Sequence, residues 1–461
     1  MWTTGLVSIM EFFSSVLPNF NGILSLWFRI VIYLYVIQIT PYLSSWSISL
    51  YIKGLRMLFH INKDQLIVQE VKIPRVRSYN TIQADSELQD VLNLIKNGIQ
   101  SIVTDDVTER FTTQPFQYWN LMSRNQVKHE QSGIGLKVLW SIGMCFRYFL
   151  LFPVRLMIGI TGFLWLIASY GLLALAYDKI PQDMYLYLKN TATLITGRLF
   201  IRAFTGHLTF EAIGNRPKNG SICVANHTTP LDVMVLSFDN VYSMVGQSQG
   251  GFFGLLQWAV SIGQPISHVW FNRFELSDRL KVTQRLREHS EKPNSNPILI
   301  FPEGTCINNT AVFMFKKGSF EVGAPIYPAC IKYNLAFSDP FWNSSRQGFL
   351  LYVLMLMTSW AIVCTVKYLP LSRRLPGEKS IDFANRVKNN ICEKGGLVDI
   401  EWDGQVKRQQ PKNWPDAIKK KMMDSMEDEG SPSMKRKSSQ QSTSSLVYFS
   451  FGGQDSEEQR N

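Results

Sequence analysis

Residues 221–238 read SICVANHTTPLDVMVLSF. The first five, SICVA (221–225), are short, apolar and stopped by Asn226, the signature of a buried strand. Pro230 suits the first position of a helix, PLDVMVLSF (230–238). The same change of character recurs on both sides. Strand candidates are LTFEAI (208–213), VYSMV (241–245), HVWFN (268–272), PILIF (297–301), IYPACIKY (326–333) and AIVCTVKYL (361–369). Helix candidates between and after them are FGLLQWAVSI (253–262), LSDRLKVTQRLREH (276–289) and SIDFANRVKNNICEK (380–394), the last with Gly395 as a stop signal. Apolar strands alternating with helices predict an α/β fold, a mixed sheet flanked by helices and buried on both faces. Binding sites in such folds gather where strands run out into loops.

The whole chain is apolar and basic at once. It has 461 residues, 46% hydrophobic and only 18% charged, yet 47 Lys+Arg against 36 Asp+Glu leave a formal charge of +11. The low charge content argues against disorder, and 6 cysteines argue against a disulfide scaffold. A membrane surface satisfies both properties, because anionic headgroups attract Lys and Arg while the bilayer accepts apolar side chains. Nucleic acid is the other reading of basic charge, and no reader motif supports it.

The apolar residues are concentrated. Residues 156–177, LMIGITGFLWLIASYGLLALAY, carry no charge and are long enough for a span of ~20 residues. Residues 138–152, VLWSIGMCFRYFLLF, precede them, separated by Pro153. The two are expected to form a transmembrane or re-entrant hairpin turning at Pro153. Residues 23–39, ILSLWFRIVIYLYVIQI, are expected to be an uncleaved anchor or in-plane helix, since no Lys or Arg precedes them. A run at 349–366 is read as a buried helix or loop leading into a strand. The expected organisation is a hydrophobic anchor at 1–60, a polar helical region at 61–135, the hairpin at 136–178, a catalytic domain at 179–410 and a basic, then Ser-rich tail at 411–461.

Four strand ends carry residue types suited to chemistry. In VANHTTPLDV (224–233), four residues separate His227 from Asp232, so a short turn folds the imidazole back onto the carboxylate. A buried Asp fixes the tautomer of such a His and stabilises its charged form, and the His can then take a proton from an attacking hydroxyl. Thr229-Pro-Leu-Asp232 is equally a helix capping box. In PILIFPEGTCINN (297–309), Gly304 permits a tight turn, and Glu303 is expected to accept hydrogen bonds from substrate hydroxyls. Lys316 and Lys317 come after it, suited to an anionic head such as phosphate. In HVWFNRFELSDR (268–279), Arg273 offers a bidentate fork. In GAPIYPACIKY (323–333), Pro328 is expected to break a strand. No cysteine pair has C-x-x-C spacing, so no metal or redox motif is indicated.

In this order, VANHTTPLDV, FNR, FPEGTCINNT and IYPACIKY resemble the four motifs of the glycerolipid acyltransferases. With MFKKGSFEVGAPIYP, DPFWNSS, MTSWAIVC, FANRVK, DDVTERF and YWNLMSR, residues 90–410 resemble the endoplasmic-reticulum glycerol-3-phosphate acyltransferases. The resemblance implies acyl transfer from acyl-CoA to the sn-1 hydroxyl of glycerol 3-phosphate, giving lysophosphatidate. No bound cofactor is implied; acyl-CoA is a co-substrate. His227 is implied as base and Asp232 as its partner. Arg273, Glu303, Gly304, Thr305, Lys316 and Lys317 are implied to bind the acceptor, and Pro328 to lie in the acyl-binding part. Cys306 is implied to be structural, with transfer direct. The chain departs from the second-motif pattern W-F-E-R-S-E at Asn272 and Phe274. Two alternatives stand beside this reading: a lysophosphatidate acyltransferase, and a catalytically silent membrane-bound paralogue.

Expected partners are the two substrates and membrane lipids, not nucleic acid; nothing in the sequence addresses oligomeric state. The expected location is the endoplasmic-reticulum membrane with the catalytic domain in the cytosol. Lys137, Arg147 and Arg155 place the start of the long apolar run on the cytosolic side, and the hairpin would return the chain there. Sequons at Asn226 and Asn308 fall inside the motif segments, easier to accept in a cytosolic domain.

Overall fold

The computed structural model describes residues 22–59, 110–111, 134–248, 250–261, 268–271, 276–292, 295–344 and 347–401. All of them fall in one compact unit. The expected face at Leu88–Ile95, the tail from Ser431 and Arg273 with its neighbours Asn272 and Phe274 lie outside the described residues.

The elements come in this order. Helix α1 (Gly22–Ile39) bends by 110° into α2 (Pro41–Phe59). Pro41 stands at the first position of α2, where its missing N–H costs nothing. Next come α3 (Ile134–Phe146), a π-helical turn (Arg147–Leu151), α4 (Phe152–Ala176) and α5 (Gln182–Arg202). The sheet region then runs β1 (Gly206–Glu211), β2 (Ile222–Ala225), α6 (Leu231–Ser237), β3 (Ser243–Gln247), α7 (Gly251–Ser261), β4 (Val269–Phe271), α8 (Leu276–Glu291), β5 (Ile298–Ile300) and β6 (Ala311–Val312). It closes with β7 (Ile326–Asn334), α9 (Phe349–Met357), β8 (Ile362–Tyr368), α10 (Ser380–Gly395) and β9 (Val398–Asp399).

Seven strands form the main sheet in the order β1-β8-β7-β2-β5-β3-β4. All neighbours run parallel except β7 and β8, whose antiparallel register pairs Ile331 with Val366. This is the mixed sheet expected. Strand β2 shows why it is buried on both faces. Ile222 and Val224 join one core with Ile298, Ile326 and the α10 residues Phe383, Val387 and Ile391. Cys223 and Ala225 join the other, with Ile158 of α4, Ile201 of α5, Val235 of α6 and Leu356 of α9. The period of two sends alternate side chains to opposite layers.

Two expectations change here. Pro328 does not break a strand: it lies inside β7, opposite Val224. Its carbonyl accepts the amide of Leu369 at 2.8 Å. Antiparallel pairing with β8 begins one residue later, at Ala329, so the absent N–H interrupts no antiparallel rung.

The hairpin is also built differently. No reversal occurs at Pro153; Trp140–Ala176 is one helix. The π-helical turn just before Pro153 loosens the hydrogen-bond ladder where proline cannot donate. The chain reverses instead after Ala176, and α5 returns along α4. A Cβ on Gly159 would meet Ala203, one on Gly162 would meet Leu199, and the Tyr170 hydroxyl lies 2.7 Å from Thr193 Oγ1, an antiparallel succession.

The cationic side chains at the start of this helix are also not at a water boundary. Arg155, 1% exposed, donates to Thr205 Oγ1 at 2.9 Å and to the carbonyls of Met357 at 2.7 Å and Trp360 at 2.6 Å. Arg147 lies over the Trp360 ring at 5.2 Å. Both clamp the segment joining α9 to β8. The 349–366 run is accordingly a helix and then a strand, with Tyr352 and Leu356 buried and Leu350 and Leu351 exposed.

Candidate functional site

The site lies beyond the C-terminal ends of the parallel strands β2 and β5. Asn226 ends β2 and anchors the turn after it to β7: its side chain donates to Ile331 O at 2.9 Å and accepts from Ile331 N at 2.8 Å. His227 sits in that turn and Asp232 in the first turn of α6. Their side chains meet with Nδ1 2.9 Å from Oδ2.

Asp232 is fully buried and ringed by donors. Its Oδ2 accepts from the amides of Thr228 at 2.7 Å and Thr229 at 3.0 Å. Its Oδ1 accepts from the Tyr333 hydroxyl at 2.6 Å. A carboxylate with this many donors has its hydrogen-bonding capacity met without water. The capping-box reading is therefore compatible with the chemical one: Asp232 reaches back to Thr229 N while its other contacts orient the imidazole. Burial together with the Asp232 charge pushes the Tyr333 phenol well up, so Tyr333 acts as a donor only.

His227 stacks on Phe301 with ring centres 4.2 Å apart, and 17% of its side chain is exposed. Its other ring nitrogen, Nε2, lies 3.3 Å from Cys306 Sγ. Burial disfavours the imidazolium, while the Cys306 sulfur and the Asp232 carboxylate favour it; the net direction is upward from the ordinary value.

Glu303 braces the turn that carries the base. It is 1% exposed, and its oxygens accept from the amides of His227 at 2.7 Å and Phe313 at 2.9 Å. Burial pushes its carboxyl up to about 8 against those donors. In this arrangement it holds the backbone of His227 and of Phe313 in place. Gly304, at φ +67°, makes the turn that lets Glu303 face inward while the chain leaves β5.

Beyond it, Ile307 N donates to His227 O at 3.1 Å and Asn308 N to Arg110 O at 2.9 Å. Arg110 also donates to Thr310 Oγ1 at 2.8 Å, and Phe111 meets Phe313 edge-on at 5.2 Å. These described residues of DDVTERF thus pin the loop that carries Cys306. Asn309 completes the scaffold, donating to Thr228 Oγ1 at 2.8 Å and accepting from Tyr333 N at 2.8 Å.

Thr305 comes directly after the Gly304 turn and is half-buried. Lys316 and Lys317 are exposed. The Lys316 amide donates to Pro302 O at 3.2 Å, which places it beside the Glu303 turn, while the Lys317 ammonium pairs with Glu321 at 2.9 Å. Pro328 lies in the sheet, within β7. The structure therefore brings together His227, Asp232, Glu303 and Gly304, with Lys316 joined to them through its backbone. The sequence reading sets Cys306 aside as structural and does not single out Tyr333; the structure places both beside the His227–Asp232 pair. The cysteine stood inside a recognised motif; its partner was a tertiary neighbour. Among the described residues no group of His, Cys, Asp and Glu is arranged to hold a metal ion.

Comparisons with known proteins agree in kind. A family model described as Acyltransferase matches residues 207–332. Glycerol-3-phosphate acyltransferase 4 of Homo sapiens is 44% identical over 359 residues, 77% of this chain and 77% of that protein. Glycerol-3-phosphate acyltransferase 3 of Homo sapiens is 43% identical over 348 residues, 75% of this chain and 79% of that protein. Among solved structures, the 1-acyl-sn-glycerophosphate (LPA) acyltransferase PlsC of Thermotoga maritima is similar with a TM-score of 0.39 at 14% identity, covering 52% of this chain and 95% of that one.

Proposed function

The chain belongs to the glycerol-3-phosphate acyltransferases, and from that membership we propose that it moves a fatty acyl group from acyl-CoA to the sn-1 hydroxyl of glycerol 3-phosphate, forming lysophosphatidate. The observation that carries this reading is the His227–Asp232 pair at the end of β2. Asp232 is walled off from solvent and fixes Nδ1, so Nε2 is the nitrogen left to exchange protons. When the hydroxyl attacks the acyl carbonyl, its proton passes to Nε2 and Asp232 stabilises the imidazolium that forms. Fixing the reactants contributes up to about 7–11 kcal/mol in favourable cases, and proton transfer about 10²–10⁴-fold.

Lys316, and Arg273 outside the described residues, are assigned to the acceptor phosphate. Lys317 is a weaker contributor, because its ammonium already has a carboxylate partner. Glu303 and Gly304 shape the turn, and Pro328 belongs to the sheet wall on the acyl side.

We place the reaction on a membrane, at the cytosolic face of the endoplasmic reticulum. Trp140–Ala176 is long and apolar enough to cross one, and α4 exposes Ile160, Leu164, Leu172 and Leu175. The α4–α5 hairpin supports a return of the chain, since Arg155 near its start and Ala203 at its end both pack on the catalytic layers. Asn226 and Asn308 are 2% and 1% exposed, so neither sequon is available for glycosylation in the folded chain.

The experiment is an acceptor comparison: purified membranes bearing the full chain receive equal acyl-CoA with glycerol 3-phosphate or with lysophosphatidate. Faster acylation of glycerol 3-phosphate is expected. Preference for lysophosphatidate overturns the acceptor assignment, and transfer to neither overturns the enzyme.

A further inference from the structure

We propose that Leu350 and Leu351 seat α9 among the lipid chains of the bilayer, and that this seat steadies the His227–Asp232 turn through Tyr352. The inference rests on the membrane acyl transfer proposed above and adds a lipid contact beside the site itself. Helix α9 reads FLLYVLMLM and carries no charge. Tyr352 and Leu356, four residues apart, are buried. Leu350, Leu351 and Leu354 make the other stripe, three and four residues apart. Leu350 is 72% exposed and Leu351 56%. Adjacent leucines this open to water mark a surface that apolar matter covers.

The place of α9 says what covers it. Its end is fastened to the long apolar helix: Arg155 donates to Met357 O at 2.7 Å, and a Cβ on Gly159 would press on the Met357 side chain at 3.1 Å. Beside that joint Phe149, Leu156, Ile160 and Leu164 are exposed, an apolar face suited to lipid. At about 1.5 Å per residue, Leu350 lies only about 10 Å along α9 from the joint. A bilayer that meets the long helix here reaches α9 too. With no Lys or Arg in α9, lipid chains rather than anionic headgroups are its match. The helix joins the end of β7 to the start of β8, and β7 runs parallel to β2, so α9 stands at the end of the sheet that carries the site.

From the seat to the base the path is short. Tyr352 follows Leu351 in the chain. Its hydroxyl donates to Pro340 O at 2.7 Å and meets Thr229 Oγ1. Thr229 Oγ1 also accepts the amide of Leu231 at 3.3 Å. The Thr229 amide donates to Asp232 Oδ2 at 3.0 Å, and that same oxygen meets His227 Nδ1 at 2.9 Å. Trp342 and Phe349 hold their ring centres 5.9 and 6.1 Å from that of Tyr352, so the phenol moves with α9. Without lipid cover the helix can hide its two leucines only by rolling, and rolling withdraws the hydroxyl from Thr229. Tyr352 is a positioning residue: it acts through Thr229 and Asp232 on the base.

The test places the full chain in phosphatidylcholine vesicles that contain a phosphatidylcholine with a diazirine midway along one acyl chain. After irradiation, labelled peptides are mapped by mass spectrometry. Label is expected on α9 as well as on α4. Leu350→Ser combined with Leu351→Ser should lose the α9 label and keep the α4 label and the parent's melting temperature. Its kcat for glycerol 3-phosphate should fall by about fivefold or more, with KM for both substrates little changed. Tyr352→Phe should keep the α9 label and lose kcat in the same way. Label on α4 with none on α9, in a parent that transfers acyl groups, overturns the seat and leaves the acyl-transfer reading standing. Cross-links from α9 to α9 of a second copy in place of lipid label also overturn it. An unchanged kcat in either variant overturns the tie through Tyr352. Label on α9 in a parent that acylates neither acceptor supports the seat and overturns the enzyme.

Discussion

Tyr333 donates its phenol hydrogen to Asp232 Oδ1 at 2.6 Å across 101 residues of chain. The tyrosine lies on β7, the strand that is parallel to β2 on one side and antiparallel to β8 on the other. The carboxylate that orients the base is thereby tied to the middle of the sheet as well as to its own helix turn. Tyr333→Phe keeps the ring and its packing but leaves Oδ1 without that donor. A hydrogen bond to a charged group is worth about 1.5–3 kcal/mol, so a fall in transfer of about tenfold or more is expected. Acyl transfer measured beside thermal unfolding checks it; unchanged activity would mean the remaining donors suffice to hold Asp232.

The pH dependence is set by His227. Its acting form is the neutral imidazole, and the folded protein holds its proton more tightly than the ordinary value of 6.5. Activity is thus lost as pH falls through a value above 6.5 and recovers as pH rises. Asp232→Asn removes a charge that favours the imidazolium, so the acid limb of residual activity should move to lower pH. With His227 pushed up to about 10, rates of glycerol 3-phosphate acylation must be followed from about pH 5.5 to 11 to give both limbs. A parent limb at or below 6.5 contradicts the arrangement.

Arg155 joins the long helix to the catalytic layers. Its guanidinium serves the carbonyls of Met357 and Trp360 and the hydroxyl of Thr205 with almost no exposure to water. Arg155→Met retains much of the volume and leaves those buried acceptors unpaired, each costing about 1–3 kcal/mol. The variant should unfold several degrees lower in the same detergent. A melting temperature equal to that of the parent would show that water replaces the guanidinium and that the clamp carries no stability.

The layers of this fold were legible because they are local. Alternation in SICVA, the proline opening α6 and the glycine ending α10 each act over a few residues, and each placed its element. What escaped was set by tertiary contact. The segment 182–202, with Lys189, Arg198 and Arg202, is not among the helix candidates of the sequence, yet it forms α5 and packs along α4 with Lys189 only 6% exposed. The strand candidate VYSMV stops at 245, yet Gly246 and Gln247 continue β3, because the bare Cα of Gly246 admits the Trp270 ring beside it in the β3–β4 register. Within the site, His227 and Asp232 lie in one short turn and were readable. Cys306 reaches the imidazole from 79 residues away, and no spacing rule connects them.

The central claim is that His227 takes the acceptor's proton in an acyl-CoA-dependent transfer. The most direct measurement is incorporation of labelled glycerol 3-phosphate into lysophosphatidate by membranes carrying the parent chain or His227→Ala at equal expression. The account predicts acyl-CoA-dependent product from the parent and a loss of at least about a hundredfold in the variant; a variant within a few-fold of the parent would contradict it.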